Sequence, residues 1–199
     1  MRQTIVRSVN DLPTYGFGSQ SGPWWGAMAF IALEGMGFAV AIAAYLYLYA
    51  VNPKWPISSA PPDLWPGTLE TAIFLLSVIP NELTNRVAHR LDLRGVRIGL
   101  IVMSVIGVGL LVVRGFSFAH LNTRWDLDAY GSVVWFVLGL HTTHLATDVV
   151  DTIVLTILMF TRHATARRFS DVTDNAFYWN FVVIAWLPLY LLLDWIPRL

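Results

Sequence analysis

Apolar residues gather in five long runs along the chain, and short polar or proline-rich stretches separate them. Each run is long enough to cross about 30 Å of hydrocarbon as a helix. Only structures that satisfy every backbone hydrogen bond internally are tolerated in a bilayer, so the runs predict helices despite their many Val and Ile residues. The predicted membrane spans are residues 24–50, 69–87, 96–118, 130–161 and 176–196.

A polar segment, residues 1–23, precedes the first span. It contains Arg2, Arg7 and Asp11, and it lacks the short apolar run and small-residue cleavage site of a signal peptide. We therefore expect a retained polar tail. The chain from residue 1 to residue 199 is predicted to be a single all-α integral membrane domain, in which five transmembrane helices form a bundle.

The basic residues are divided unevenly between the two sides of the predicted bundle. Nine of the 13 lie in the tail and in the second and fourth connections, and four lie on the opposite side. Lys and Arg are retained on the cytoplasmic side, so the amino terminus is predicted inside and the carboxyl terminus outside. The nine are Arg2, Arg7, Arg86, Arg90, Arg94, Arg97, Arg162, Arg167 and Arg168; the four are Lys54, Arg114, Arg124 and Arg198.

The amino-acid composition agrees with a membrane protein and excludes several kinds of partner and site chemistry. Hydrophobic residues make up 56% of the chain and charged residues 13%, with a formal net charge of zero. Because the basic residues are scattered, nothing indicates a nucleic-acid partner. The chain has no cysteine, which excludes disulfides, thiolate catalysis and Cys-ligated metals.

The fourth span carries an unusual set of ionisable residues: His141, His144, Asp148 and Asp151. Their spacing places them on one face of a helix. A central Asp costs about 2.5 kcal/mol or more to insert into a bilayer, so such a stripe predicts a functional or packing role. We expect this face to meet protein or water, with Asp148 and Asp151 buried against other helices or a partner subunit.

Three interpretations of these polar groups remain open. The most favoured is hydrogen bonding between helices, within the chain or with a partner. A second is a membrane metal-dependent enzyme that uses His141, His144, Asp148 and Asp151 as ligands, although metal-binding bundles usually draw ligands from several helices. A third is a proton or ion relay through Glu34 and Asp148 in a stand-alone transporter, which the lack of paired, broken helices disfavours.

Glu34 is the only acidic residue in the first predicted span, between Phe30 and Phe38. An intramembrane carboxylate needs a partner or a proton. Proton handling, contact with lipid or a neighbouring subunit, and a neutral Glu hydrogen-bonded between helices are all compatible with the sequence.

Several strings, in order, resemble cytochrome c oxidase subunit III, particularly the five-helix form of bacterial haem-copper oxidases. Individually they are weak, but their order along nearly the whole chain is fairly specific. They are Phe30-Ile-Ala-Leu-Glu34, Leu69-Glu-Thr71, Tyr130-Gly-Ser132, Gly139-Leu-His141-Thr-Thr-His144 and Tyr178-Trp179. The chain departs from the family pattern at Ser117, where a glutamate is usual, at Asp148, where a glycine is typical, and at Asn180, where a histidine is usual.

The resemblance implies a non-catalytic subunit of a bacterial inner-membrane oxidase that couples oxygen reduction to proton translocation. Haem and copper would lie in the partner, and this chain would hold neither a catalytic residue nor a metal ligand. The implied partners are the catalytic subunit I, subunit II and phospholipids, with support of proton uptake and turnover stability as the role. Glu34 matches the family's carboxylate, and Arg162 is a candidate lipid-phosphate contact on chemical grounds. An accessory subunit of nitric oxide reductase or another respiratory complex is the alternative.

Overall fold

The computed structural model describes residues 16–162 and 164–199, which form five long helices and, within these ranges, no strand. The all-α prediction is therefore confirmed for this part of the chain. Residues 1–15 of the predicted tail lie outside the described ranges. The helices are α1 (Gly22–Val51), α2 (Leu64–His89), α3 (Leu93–Ala119), α4 (Ala129–Phe160) and α5 (Ala166–Tyr190).

Short helical segments extend both ends of this series. A 3-10 turn, Gly18–Gln20, precedes α1, and α5 continues through a π-helical turn, Leu191–Trp195, into a final 3-10 turn, Ile196–Arg198. Two helix starts are fixed by side-chain caps. Asp92 accepts hydrogen bonds from the backbone N–H groups of Arg94 and Gly95, and Asp128 accepts one from Gly131 at 2.8 Å, which satisfies donors that a helix leaves free.

Four of the helices are long and apolar enough to cross a membrane: α1, α3, α4 and α5 with its continuation to Arg198. The second predicted span lies in α2, which does not meet that description, because polar and charged residues interrupt its apolar run. Glu70, Asn81 and Thr84 are each 3% exposed or less. The crossing of α2 therefore remains a prediction.

The helix α5 begins at Ala166, ten residues before the predicted span at residue 176. The additional turns carry the charged residues Arg167, Arg168, Asp171 and Asp174. A prediction based on apolar runs alone therefore leaves these turns out. A helix can extend past the hydrocarbon wherever one face packs, and here Phe169 and Val172 are buried.

Helices α2, α3, α4 and α5 form the bundle, since α2 packs on α3 and α5 and α4 packs on the same two helices. Helix α1 lies against α4 and α5. Two buried tryptophans tie α5 to α2: the Trp179 indole donates to Ser77 at 2.9 Å and the Trp186 indole donates to Thr71 at 2.8 Å. Large apolar side chains such as Leu33 and Leu76 face outward, as lipid-facing positions would.

Candidate functional site

Three helices enclose a cleft of about 440 Å³ that we call the acidic cleft. Each helix contributes side chains one turn apart, so one stripe from α1, one from α4 and one from α5 meet along it. Five of its lining residues are acidic, and none is Lys or Arg. The lining residues are Pro23, Ala27, Phe30, Glu34, Thr143, His144, Thr147, Asp148, Asp151, Asp171, Asp174, Asn175 and Tyr178.

Glu34 joins all three walls of the acidic cleft. Its Oε2 accepts a hydrogen bond from the Tyr178 hydroxyl at 2.6 Å, and its Oε1 lies 3.3 Å from His144 Nε2. His144 Nδ1 lies 2.6 Å from the carbonyl oxygen of Leu140, which can only accept, so Nδ1 carries a proton. His144 Nε2 therefore faces the Glu34 carboxyl group, with its other nitrogen engaged by the backbone.

Asn175 links the two aspartates of α4. Its Nδ2 donates to Asp148 Oδ1 at 3.0 Å and to Asp151 Oδ2 at 3.2 Å, while its own oxygen accepts from Thr152. Asp148 is 2% exposed, as expected, and its Oδ2 has no hydrogen-bond partner among the described residues. Asp151 is exposed among the described residues, so the expectation that other helices of this chain bury it is wrong for that part of the chain.

The other two acidic residues of the cleft differ in whether a cationic side chain lies beside them. Asp171 lies 2.7 Å from Arg168 Nη1, whereas both carboxylate oxygens of Asp174 are shielded and have no hydrogen-bond partner within the described ranges. Arg168 is outside the lining, and so is Arg162, which is exposed after the end of α4. The lining of the acidic cleft therefore contains five carboxyl groups and no Lys or Arg.

A second polar site, the buried arginine cluster, lies inside the bundle and consists of Glu70, Arg114, Ser117, His141 and Trp186. Arg114 Nε lies 2.7 Å from Glu70 Oε1, and Ser117 donates to Glu70 Oε2 at 3.2 Å. The guanidinium carbon lies 4.2 Å from the centre of the Trp186 ring. Ser117, which stands where the family pattern has glutamate, thus partners the glutamate of the neighbouring helix.

His141 belongs to the buried arginine cluster and not to the acidic cleft. Its Nδ1 lies 3.1 Å from Arg114 Nη2, a pure donor, and its Nε2 lies 3.0 Å from the carbonyl oxygen of Val182, a pure acceptor. The ring is therefore the neutral tautomer with its proton on Nε2. Both nitrogens are engaged, and no group of three or more His, Asp or Glu side chains in the described ranges could hold a metal. The four-ligand metal site has no support here.

Arg114 was counted among the basic residues of the outer side, and the structure corrects that count. Arg114 lies within α3 and is 1% exposed, so it is a packing residue and not a topology signal. The positions of Glu70 and Arg114 along their helices could have identified them as partners. Glu70 lies near the start of α2 and Arg114 near the end of α3, and two consecutive antiparallel helices bring such positions to the same level.

The helices, their apolar outer faces and these two internal polar sites define a multi-pass helical membrane protein. No family model matches the chain. It is similar to cytochrome c oxidase subunit 3 of Thermostichus vulcanus, with 23% identity over 176 residues and 87% of each chain covered. Probable cytochrome c oxidase subunits 3 of Nocardia farcinica and Mycobacterium leprae are each 25% identical over 169 residues, with 83% of each chain covered. These relatives confirm the resemblance to the cytochrome c oxidase subunit III family.

Proposed function

We propose that this chain is the non-catalytic subunit III of a respiratory haem-copper oxidase. The observation that carries the proposal is its similarity, over more than four-fifths of its length, to proteins named cytochrome c oxidase subunit 3. The chain would sit in a bacterial inner membrane against the catalytic subunit I, with subunit II in the same complex. Haem and copper would belong to those partners, which would reduce oxygen and translocate protons.

Support of proton uptake is the role that the geometry of Glu34 favours. The carboxyl group lies between the His144 imidazole, 3.3 Å away, and the Tyr178 hydroxyl, which donates to it at 2.6 Å. The pair lines a cleft instead of being sealed in the bundle, so a proton has a route to it. These features suit a group that stores protons beside the proton-entry side of a partner.

Lipid binding is proposed at two separate places on the protein. Glu34 would contact a lipid within the acidic cleft, whereas Arg162 would contact a phosphate outside it, because a planar guanidinium matches phosphate oxygens. Arg162 is exposed, as such a contact requires. The acid-rich lining argues against phosphate inside the cleft itself.

The proposed orientation has the amino terminus inside and the carboxyl terminus outside. With Arg114 removed from the outer set, the division of basic residues becomes nine against three, which strengthens the asymmetry. The absence of native cysteine permits a direct test with Arg90→Cys and Asp126→Cys. An impermeant thiol reagent applied to whole cells should label the second variant alone, and the reverse pattern would overturn the orientation.

Copurification tests the function as a whole. An affinity tag on this chain should retain a haem protein whose spectrum contains the signature of a haem-copper oxidase and which consumes oxygen. Retention of a complex that reduces nitric oxide without oxygen uptake would favour the accessory subunit of a nitric oxide reductase instead. Recovery of the chain alone, after crosslinking in intact membranes, would contradict both.

A further inference from the structure

Asp194 is a buried carboxyl group that the proposed function does not use. It lies in the π-helical turn that follows α5, and it is 6% exposed. Within the described ranges, no N–H or O–H group donates a hydrogen bond to its carboxyl oxygens, and no cationic side chain forms an ion pair with it. Buried polar groups in proteins nearly always have partners, so the state of this carboxyl group needs a physical explanation.

The Asp194 carboxyl oxygens lie against the backbone of α2 at Gly67. A Cβ atom on Gly67 would be 2.7 Å from Oδ2 and 2.8 Å from Oδ1, so only a residue without a side chain leaves room there. Asp194 and Gly67 line a small cavity of about 20 Å³, together with Ser117 and Trp186. Asp63 also lines this cavity and is exposed at the end of the bundle where α2 begins, so the cavity lies close to the aqueous phase at that end.

The arginine side chains near Asp194 are engaged by other acceptors. The charged groups that face Asp194 are Glu70 in α2, Arg114 in α3 and Arg198 in the final turn. Arg114 Nε forms its ion pair with Glu70, at 2.7 Å. Arg198 donates to the backbone carbonyl oxygens of Asp194 and Pro62 and forms no ion pair with the carboxyl group. Two buried carboxyl groups therefore face one guanidinium group that pairs with a carboxylate, and Glu70 holds it.

The other groups around Asp194 add no positive side chain. Tyr45 in α1 and Tyr130 in α4 are 0% exposed and carry phenol groups, which are uncharged at neutral pH. Asp63 is a further acid. The amino terminus of α2, close to Gly67, favours negative charge, but this effect is weaker than the cost of burying an unpaired carboxylate. The balance of charges therefore favours the neutral form of Asp194.

The cavity beside Asp194 is large enough for one water molecule. A buried water needs about 10–15 Å³ of such volume and roughly two to four polar partners. Ser117 donates its hydroxyl proton to Glu70 Oε2 at 3.2 Å, so its oxygen remains able to accept a hydrogen bond. A water molecule in the cavity would accept from a protonated Asp194 and donate to Ser117, which would connect the two buried carboxyl groups.

We propose that Asp194 holds a proton inside the bundle and that one water molecule links its O–H group to Ser117, and through Ser117 to Glu70. This proton site shares no residue with the acidic cleft. The inference does not depend on the proposed oxidase role, since only contacts within this chain carry it. Because the exposed Asp63 lines the same cavity, the proton on Asp194 can exchange with water at that end of the bundle.

Infrared spectroscopy of the purified full chain at neutral pH tests whether Asp194 carries the proton. A protonated carboxyl group has a C=O stretch that an ionised carboxylate lacks. The difference spectrum between the natural chain and Asp194→Asn should contain this band, and the band should shift in D₂O because the proton exchanges. Carboxylate bands in its place would overturn the proposal. The matched control is Asp126→Asn, which removes an exposed carboxylate paired with Arg124 and should give carboxylate bands alone.

Unfolding equilibria distinguish the neutral carboxyl group from the ionised one. Asparagine imitates a protonated aspartic acid, so Asp194→Asn should change the equilibrium constant for unfolding by less than about threefold. Glu70→Gln removes an ionised partner of Arg114 and should change the same constant by at least about a hundredfold. A loss in Asp194→Asn as large as that in Glu70→Gln, or failure of Asp194→Asn to fold, would show that Asp194 is ionised and would refute the proposal.

Two neighbouring variants test the position of the proton and the water bridge while Asp194 itself stays in place. Gly67→Ala forces the carboxyl group away from α2, and Ser117→Ala removes the hydroxyl group that holds the far side of the water molecule. Both should move the C=O band of Asp194 to a different frequency without abolishing it. A band that keeps its frequency in Ser117→Ala would overturn the water bridge, and one that also keeps it in Gly67→Ala would show that the proton lies elsewhere.

Discussion

Arg114 Nε lies 2.7 Å from Glu70 Oε1 inside the bundle, where neither side chain is more than 1% exposed. A buried ion pair is stabilising only when hydrogen bonds satisfy most of its remaining donors and acceptors. Here Ser117 and His141 contribute hydrogen bonds and the Trp186 ring covers the guanidinium group, while Arg114 Nη1 has no hydrogen-bond partner among the described residues. The pair therefore joins α2 to α3, and through His141 it reaches α4 and α5.

Removing one member of this pair should be far more damaging than removing both. We expect Glu70→Gln or Arg114→Met to lower the free energy of unfolding by about 3–5 kcal/mol, because the surviving group is left buried and unpaired. The double variant Glu70→Leu/Arg114→Met should lose less than either. Unfolding in mixed detergent micelles, followed by circular dichroism, measures these differences.

The exposed pair of Arg124 and Asp126 is the control. Its side chains are 78% and 38% exposed, so Asp126→Asn should change the free energy of unfolding by less than about 1 kcal/mol. A comparable loss in the exposed and buried variants would contradict the structural role of Glu70 and Arg114.

A pair of glycines on α3 tests the close contact between α3 and α4. A Cβ atom at Gly107 would lie 2.6 Å from Val149 Cγ2, whereas one at Gly109 would meet nothing within 4 Å. Gly107→Ala should destabilise the fold by about 1–3 kcal/mol through overpacking. Gly109→Ala should be neutral or slightly stabilising, because Ala favours helix.

Relief of the clash distinguishes overpacking from other effects. Val149→Ala, added to Gly107→Ala, should recover part of the lost thermal stability, although alone it would leave a cavity. Equal melting temperatures for the two glycine variants would show that α3 and α4 are not in the contact described.

His141 provides a third test, since it bridges a guanidinium group of α3 and a backbone carbonyl of α5. His141→Leu leaves the buried Arg114 Nη2 without this partner and should lower the free energy of unfolding by about 1–3 kcal/mol. Thr143→Val, two residues away, removes only a local hydrogen bond on an exposed position and should change it by less than about 0.5 kcal/mol. Bound metal lost in His141→Leu would instead revive the metal-site alternative.

Glu34 is expected to matter for turnover more than for assembly. Its partners, Tyr178 and His144, belong to the same chain, so Glu34→Ala should leave the subunit in the purified complex. The expected defect is a faster loss of oxygen consumption during turnover, with Tyr178→Phe as the milder variant. Quantitative subunit analysis of the complex checks the first expectation, and absence of the subunit would contradict it.

The helices could be predicted from the chain because each long apolar run has only one way to satisfy its backbone in a bilayer. The α1, α3 and α4 helices cover the predicted spans closely. The prediction failed where the criterion was hydrophobicity alone: it missed the polar first turns of α5. In α2 the buried face is polar, so composition does not establish its crossing.

The polar stripe of α4 illustrates what periodicity could not decide. His141 and His144 share a face by spacing, yet one enters the buried arginine cluster and the other the acidic cleft. The spacing fixed their positions on one helix. The neighbouring helices, which lie on either side of that face, fixed their partners.

By itself, then, the amino-acid order determined that the chain forms membrane helices and that a few of its positions are ionisable at unusual depth, because both follow from local composition and helix geometry. Tertiary structure alone decided that Glu70 meets Arg114, that Asn175 joins Asp148 to Asp151, and that the acidic cleft opens beside Glu34. Those pairings depend on which helices pack together and at what register, and residues distant in sequence carry no local signal of their contact.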